Sequence, residues 1–291
     1  MAFILGGALG FAILALRRFV PESPRWLLLH RRQEEAETIV SAIEAQAGRA
    51  FDRQPAQVIV LDPQARVGWF QLLGVLLRRY PRRIVLGLCL MGAQAFLYNA
   101  IFFTYALVLT RYYGVSESQV GLFLLPFAAG NFLGPLVLGP LFDEVGRRIM
   151  ITATYALTGA LIIVTGLLFT ADVLTPLGQT LAWSVVFFVA SAAASSAYLT
   201  VGECFPLEVR ARAIAWFYAI GTALGGIAGP VVFGHLIASG ARGDVFVGYA
   251  VGGGLMLAAA CVAAIFGVRA ERCSLESVAA PLAMRAPAPI A

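Results

Sequence analysis

The sequence contains no lysine, and all 21 of its cationic side chains are arginine. Charge of either sign is scarce, 13% of residues against 60% hydrophobic ones, and a soluble core of that apolarity would have no polar surface to wrap it. Four cysteines, Cys89, Cys204, Cys261 and Cys273, show no paired spacing, which argues against a disulfide frame and a metal site. No carboxylate or arginine stands in the middle of any long apolar run. Such a chain offers no obvious counter-charge for an ionic substrate or a coupled proton, and no acid, metal cluster or nucleophile–base pair for an enzyme. No cofactor is expected. The missing lysine also excludes a light-driven pump that holds retinal as a Schiff base.

What the sequence does have is seven long apolar stretches, 1–20, 83–110, 118–142, 149–171, 179–202, 213–238 and 245–268. Each is close to the roughly 20 residues that cross a bilayer as helix, so the expected fold is an all-α membrane protein with seven spans, and its first partner is the lipid bilayer. The arginines fall on alternate sides. Segment 21–82 holds Arg25, Arg31, Arg32, Arg49, Arg53, Arg66, Arg78, Arg79 and Arg82, and alternate loops add Arg147, Arg148, Arg210, Arg212, Arg269, Arg272 and Arg285. The opposite loops carry only Arg111 and Arg242. The positive-inside rule then places residue 1 outside and the C-terminus in the cytoplasm of a multi-pass plasma (inner) membrane protein. Positive charge spread in this way needs no nucleic acid to explain it.

The first stretch is unusual because Arg17 and Arg18 follow it, whereas a secretory signal carries its charge before the apolar region. Residues 1–20 therefore read as an internal span of a longer protein. Within 21–82, Pro24 to Gly48 combines Glu34, Glu35, Glu37 and Glu44 with apolar Leu28, Ile39, Val40 and Ile43, a pattern for one amphipathic helix stopped at Gly48. A second short helix is expected from Trp69 to Arg79. The proline-rich and alanine-rich block 269–291 reads as a disordered cytoplasmic tail.

Three motifs then carry a resemblance. Pro21-Glu22-Ser23-Pro24-Arg25-Trp26-Leu27 after a span resembles the signature that follows the sixth helix of sugar porters in the major facilitator superfamily. Gly139-x-x-x-Asp143-x-x-Gly146-Arg147-Arg148 is similar to the superfamily's cytoplasmic-loop motif between the eighth and ninth helices. Glu203-x-Phe205-Pro206-x-Glu208-Val209-Arg210-Ala211-x-Ala213 resembles the segment after the tenth helix. The resemblance implies a partial major-facilitator fold: 1–20 as the last span of a truncated N-terminal half, 21–82 as the cytoplasmic helical linker, and 83–268 as the C-terminal six-helix half. It implies transport of a small-molecule substrate, sugar-like or an organic-acid metabolite, by alternating access. The missing N-terminal half would be a partner, and the fragment alone would be inactive.

The resemblance also assigns residues. Asn99-Ala100-Ile101-Phe102 resembles the seventh-helix signature, Gln94 matches its second glutamine, and Asn131, sixteen residues before Arg147, matches the eighth-helix asparagine that contacts sugar. With Tyr198, these are the expected substrate contacts; from the residues alone, each amide could equally make an interhelical hydrogen bond. Asp143, Arg147, Arg148, Glu203 and Arg210 are the expected gating charge cluster, with Glu203 and Arg210 meeting across the bend at Pro206. The same charges also suit a plain positive-inside turn. Departures are equally specific: Ala190 and Tyr198 replace an acid and a tryptophan, while Gly221, Thr222 and Gly225 stand at asparagine and tryptophan positions, so a hexose substrate loses its usual donors and stacking ring. Gly221, Gly225 and Gly229 repeat on one helix face and are read first as a close-packing stripe, second as a hinge. A seven-helix receptor and a non-transporting remnant are the other readings.

Overall fold

Helices form because a backbone in lipid must satisfy its own polar groups, and in the computed structural model the long apolar stretches are helical among the described residues. It describes residues 2–47, 74, 76–271, 273 and 275–279. The chain divides into two units, 1–67 with 281–291, and 68–280.

In the first unit, α1 (Ala2–Leu16) runs into a 3-10 turn at Arg17–Phe19. Ile4, Phe11, Ile13 and Leu14 are all exposed, as befits a helix apolar on every side. At 15 residues, α1 covers only about 22 Å, short of the roughly 30 Å hydrocarbon core. The single amphipathic helix expected from Pro24 to Gly48 is two helices, α2 (Pro24–Leu29) and α3 (Gln33–Ala47). The reason is local. Arg31 adopts a left-handed φ of 60°, its N–H donates to the Leu28 carbonyl, and that of Arg32 donates back to Leu27. This paired closure is a Schellman turn. Leu27 and Ala36 bury against each other's helices, and Arg32 pairs with Glu35 at the start of α3.

In the second unit, residues 74 and 76–79 are helical, consistent with the end of the expected short helix, whose residues 69–73 lie outside the described set. Six membrane-length apolar helices follow among the described residues. They are built from α4 (Pro81–Tyr113), α5 (Glu117–Leu138) extended by α6 (Leu141–Glu144), α7 (Arg147–Thr170), α8 (Pro176–Cys204), α9 (Leu207–Gly221) with α10 (Ile227–Ala238), and α11 (Arg242–Phe266); a short α12 (Leu275–Val278) ends the unit. Pro81 and Pro176 begin α4 and α8 where a missing N–H costs nothing. Gly114, at φ 66°, closes α4 by donating to Leu109 and Thr110. The span expected to start at residue 213 begins at Leu207, and a π-helical turn, Thr222–Gly226, joins α9 to α10.

Helix α4 is the hub and packs against α8, α9, α10 and α11, while α7 lies along α11 and α5 along α8. Helix α5 touches the bundle almost only through α8, and a Cβ at Gly134 would collide with the Phe188 carbonyl of that neighbour. The rest of α5 is open: Leu122, Leu125, Phe132 and Leu136 are each more than 60% exposed. This leaves the flanks of α4, α5, α8 and the π turn uncovered on the side where the expected substrate residues lie.

Candidate functional site

Two polar constellations hold the residues expected from the sequence, one in mid-span and one at the bundle end that holds Arg147. In mid-span, Tyr98 on α4 donates its hydroxyl proton to Asn131 Oδ1 on α5 at 2.9 Å. The Tyr98 ring is held against Phe187 of α8 at 4.6 Å between centroids. With its oxygen engaged, Asn131 has an amide nitrogen with no protein acceptor among the described residues. That side chain lines an open groove of about 680 Å³ shared with Phe102, Phe127 and Phe132. The arrangement presents two N–H donors on an aromatic wall.

Gln94 on α4 is buried, and the half-exposed Tyr198 on α8 lies near it. The Tyr198 ring is 6.0 Å from that of Tyr218 on α9. Asn99 behaves differently. Its amide nitrogen returns to the Ala95 carbonyl of its own helix at 2.7 Å, the i−4 bond available to a polar side chain in lipid. The same nitrogen borders the π turn, 3.4 Å from where a Cβ on Gly226 would stand. Of the four expected substrate residues, Asn131 is paired with Tyr98, Gln94 and Tyr198 lie near each other, and Asn99 stands apart at a helix irregularity. Tyr98 was not among the expected contacts, although it adjoins Asn99, because an intramembrane tyrosine serves packing as readily. Tyr105 does just that, donating to the Val120 carbonyl across the α4–α5 contact.

The glycine stripe faces α4. A Cβ at Gly221 would stand 3.0 Å from Met91, one at Gly229 would stand 3.0 Å from Ala100 N, and one at Gly225 would strike the Phe96 amide. Close packing and the π turn therefore occupy the same segment.

At the other constellation, Arg147 Nη2 pairs with Asp143 Oδ1 at 3.0 Å, and Nη1 pairs with Glu203 Oε1. Arg147 and Glu203 are largely shielded, whereas Asp143 is exposed. The ion pair joins the α6–α7 turn to the last turn of α8. Behind it, Pro135, Phe142, Ser195, Ser196 and Leu199 line a cavity of about 220 Å³. Arg210 reaches the Phe205 carbonyl in the bend, and Glu203 pairs with Arg147. Arg148 turns the other way and donates to Ala264 O near the end of α11. Arg83 was hidden at the edge of an apolar run. It donates to Cys204 O at the C-terminus of α8 and to Val278 O of α12 at 2.8 Å, a favourable place for a cation.

The chain is 28% identical over 270 residues to YdjK of Escherichia coli, a protein named for metabolite transport, covering 90% of this chain and 55% of that one. It is 27% identical to the niacin transporter NiaP of Acinetobacter baylyi over 96% of this chain and 60% of the relative. Identity to plastidic glucose transporter 4 of Arabidopsis thaliana is also 27%, over 68% of this chain and 36% of that protein. The chain spans about half the length of the relatives it matches best in extent. The family described as sugar (and other) transporter matches residues 1–280, and this multi-pass membrane protein belongs to it.

Proposed function

We propose that the second unit is one half of an alternating-access carrier for a small polar solute, sugar-like or an organic-acid metabolite, with its C-terminus in the cytoplasm. The observation that carries this reading is the Tyr98–Asn131 pair, which leaves amide donors open on an aromatic groove at mid-span depth. Polar groups in lipid are costly unless partnered, so donors kept open there suit a ligand that arrives through water. Gln94, Asn99 and Tyr198 complete the candidate contacts. Relatives named for niacin, for a metabolite and for glucose span both substrate types, and the absence of a mid-span counter-charge favours hydroxyl or ring-edge recognition over ion pairing.

In this reading Asp143, Arg147 and Glu203 form a latch at the cytoplasmic end, with Arg210 and Arg148 bracing the adjacent helix ends. A second half, on the same or another chain, would close the pocket, because carriers of this kind bind at the midplane between two repeats. The test is uptake of labelled glucose, nicotinate and small organic acids by cells that express the chain together with a matching half. Saturable uptake of one solute that falls with Asn131→Ala supports the reading. Saturable uptake that is indifferent to Asn131, Gln94 and Asn99 would remove the site from the groove.

A further inference from the structure

One buried phenol belongs to neither constellation. Tyr155 on α7 is fully buried and donates its hydroxyl proton to the Leu90 carbonyl of α4 at 3.0 Å. Helix α7 lies along α11 and α8, and the tyrosine side chain reaches from it to α4. The carbonyl it meets stands inside α4, where the helical ladder already brings it the N–H of the residue four positions on, Gln94. Tyr155 takes the second lone pair of that oxygen.

The next residue is held too. The Met91 backbone lies 3.0 Å from where a Cβ on Gly221 would stand, so α9 presses on α4 at the level that Tyr155 grips. Between these supports α4 cannot slide or turn without losing a bond or opening a gap. Leu90, Gln94 and Tyr98 recur every four residues and share one face of the helix, so the held turn leads directly to the two site residues of α4. Tyr155 also lies near Tyr98 and Tyr198.

We infer that Tyr155 is a positioning residue of the substrate site. Being fully buried, it does not reach the groove itself. Through Leu90 it sets the height and rotation of α4, hence where the Tyr98 hydroxyl meets Asn131 Oδ1 and whether the Asn131 N–H groups face the groove. The inference rests on the carrier reading of that groove. Its rival is a bond that adds stability alone, the role of Tyr105 on the Val120 carbonyl.

The first arm of the experiment uses the full chain in detergent micelles without solute. Tyr155→Phe keeps the ring and is expected to raise amide hydrogen exchange several-fold across residues 90–98 while leaving 105–113 unchanged. Unaltered exchange at 90–98 would overturn the inference. The second arm measures uptake of labelled glucose, nicotinate and small organic acids by the chain expressed with a matching half. For the solute carried, Tyr155→Phe should raise KM several-fold at nearly constant maximal rate, whereas Tyr105→Phe should leave KM unchanged although it too loses a buried phenol–carbonyl bond. Adding Tyr155→Phe to Tyr98→Phe should raise KM no further, because both act through one pair. An additive double variant, an equal rise in KM for Tyr105→Phe, or a fall in maximal rate alone would each count against positioning. If Asn131→Ala raises KM and Tyr155→Phe does not, only the role of Tyr155 is lost; if neither does, the groove reading fails and this inference with it.

Discussion

At the scale of single residues, the Tyr98–Asn131 bond decides which end of an amide faces the groove. An asparagine side chain can flip, and a tyrosine proton fixed on Oδ1 leaves the nitrogen outward. Asn131→Ala in the assembled carrier should weaken substrate binding by about 1 to 3 kcal/mol through the unsatisfied partner. Tyr98→Phe should cost less, because it frees the flip without removing the amide. Isothermal titration of both variants checks the order, and an equal or larger loss for Tyr98→Phe would make the phenol itself the substrate contact. Cysteines placed at 99 and 131 after replacing the four native ones should react with a water-soluble thiol reagent and be protected by substrate. Sequence carried Asn99 and Asn131 through resemblance to a family's helix signatures, and it carried Asp143, Arg147 and Glu203 through their places in two motifs. It could not carry Tyr98 or Arg83, because their meaning depends on Phe187 and on the Cys204 carbonyl, groups distant in the chain.

At the scale of elements, apolar length made the six spans of the second unit legible, and their ends shift by a few residues or, before α9, by one turn or more. Two breaks were not legible. The α2–α3 turn uses Arg31 where left-handed backbone is ordinarily signalled by glycine, and the π turn keeps nearly the same side-chain stripe as an α-helix. That π turn is the element most suited to bending, since such turns interrupt the regular ladder and recur at functional sites. Gly225 sets its distance from α4. Gly225→Ala is expected to destabilise the protein by about 1 to 3 kcal/mol through overpacking against the Phe96 backbone, whereas Gly254→Ala, with open space around it, should be near neutral. Thermal melts in detergent compare the two directly. The proposed latch joins two elements: Arg147 holds the start of α7 to the end of α8 through Glu203. Partly exposed pairs are individually worth about 0 to 1 kcal/mol, too little to hold the fold but enough together to bias two conformations of similar energy. Glu203→Gln in the carrier should slow net uptake and raise thiol accessibility from the Arg147 side, with substrate affinity unchanged within a few-fold. Lost binding with unchanged accessibility would move Glu203 into the substrate site.

At the scale of the whole molecule, Asn131 faces an open groove, and no described residue of the second unit closes over its amide. Alternating access requires a second surface that rocks against this one, so that the same groups meet water first on one side and then on the other. The relatives are about twice as long as the part this chain matches, which leaves room in them for such a surface. The chain reconstituted by itself in liposomes is therefore expected to show no saturable uptake, and co-expression with the unmatched half of a relative such as YdjK is expected to restore it. The restored activity should fall with Asn131→Ala and slow with Glu203→Gln, which separates true reassembly from uptake by the added half alone. Saturable uptake by this chain alone would show that it closes its own pocket, and cross-linking before and after substrate addition would then distinguish a monomer from two copies meeting through the α4–α5 flank.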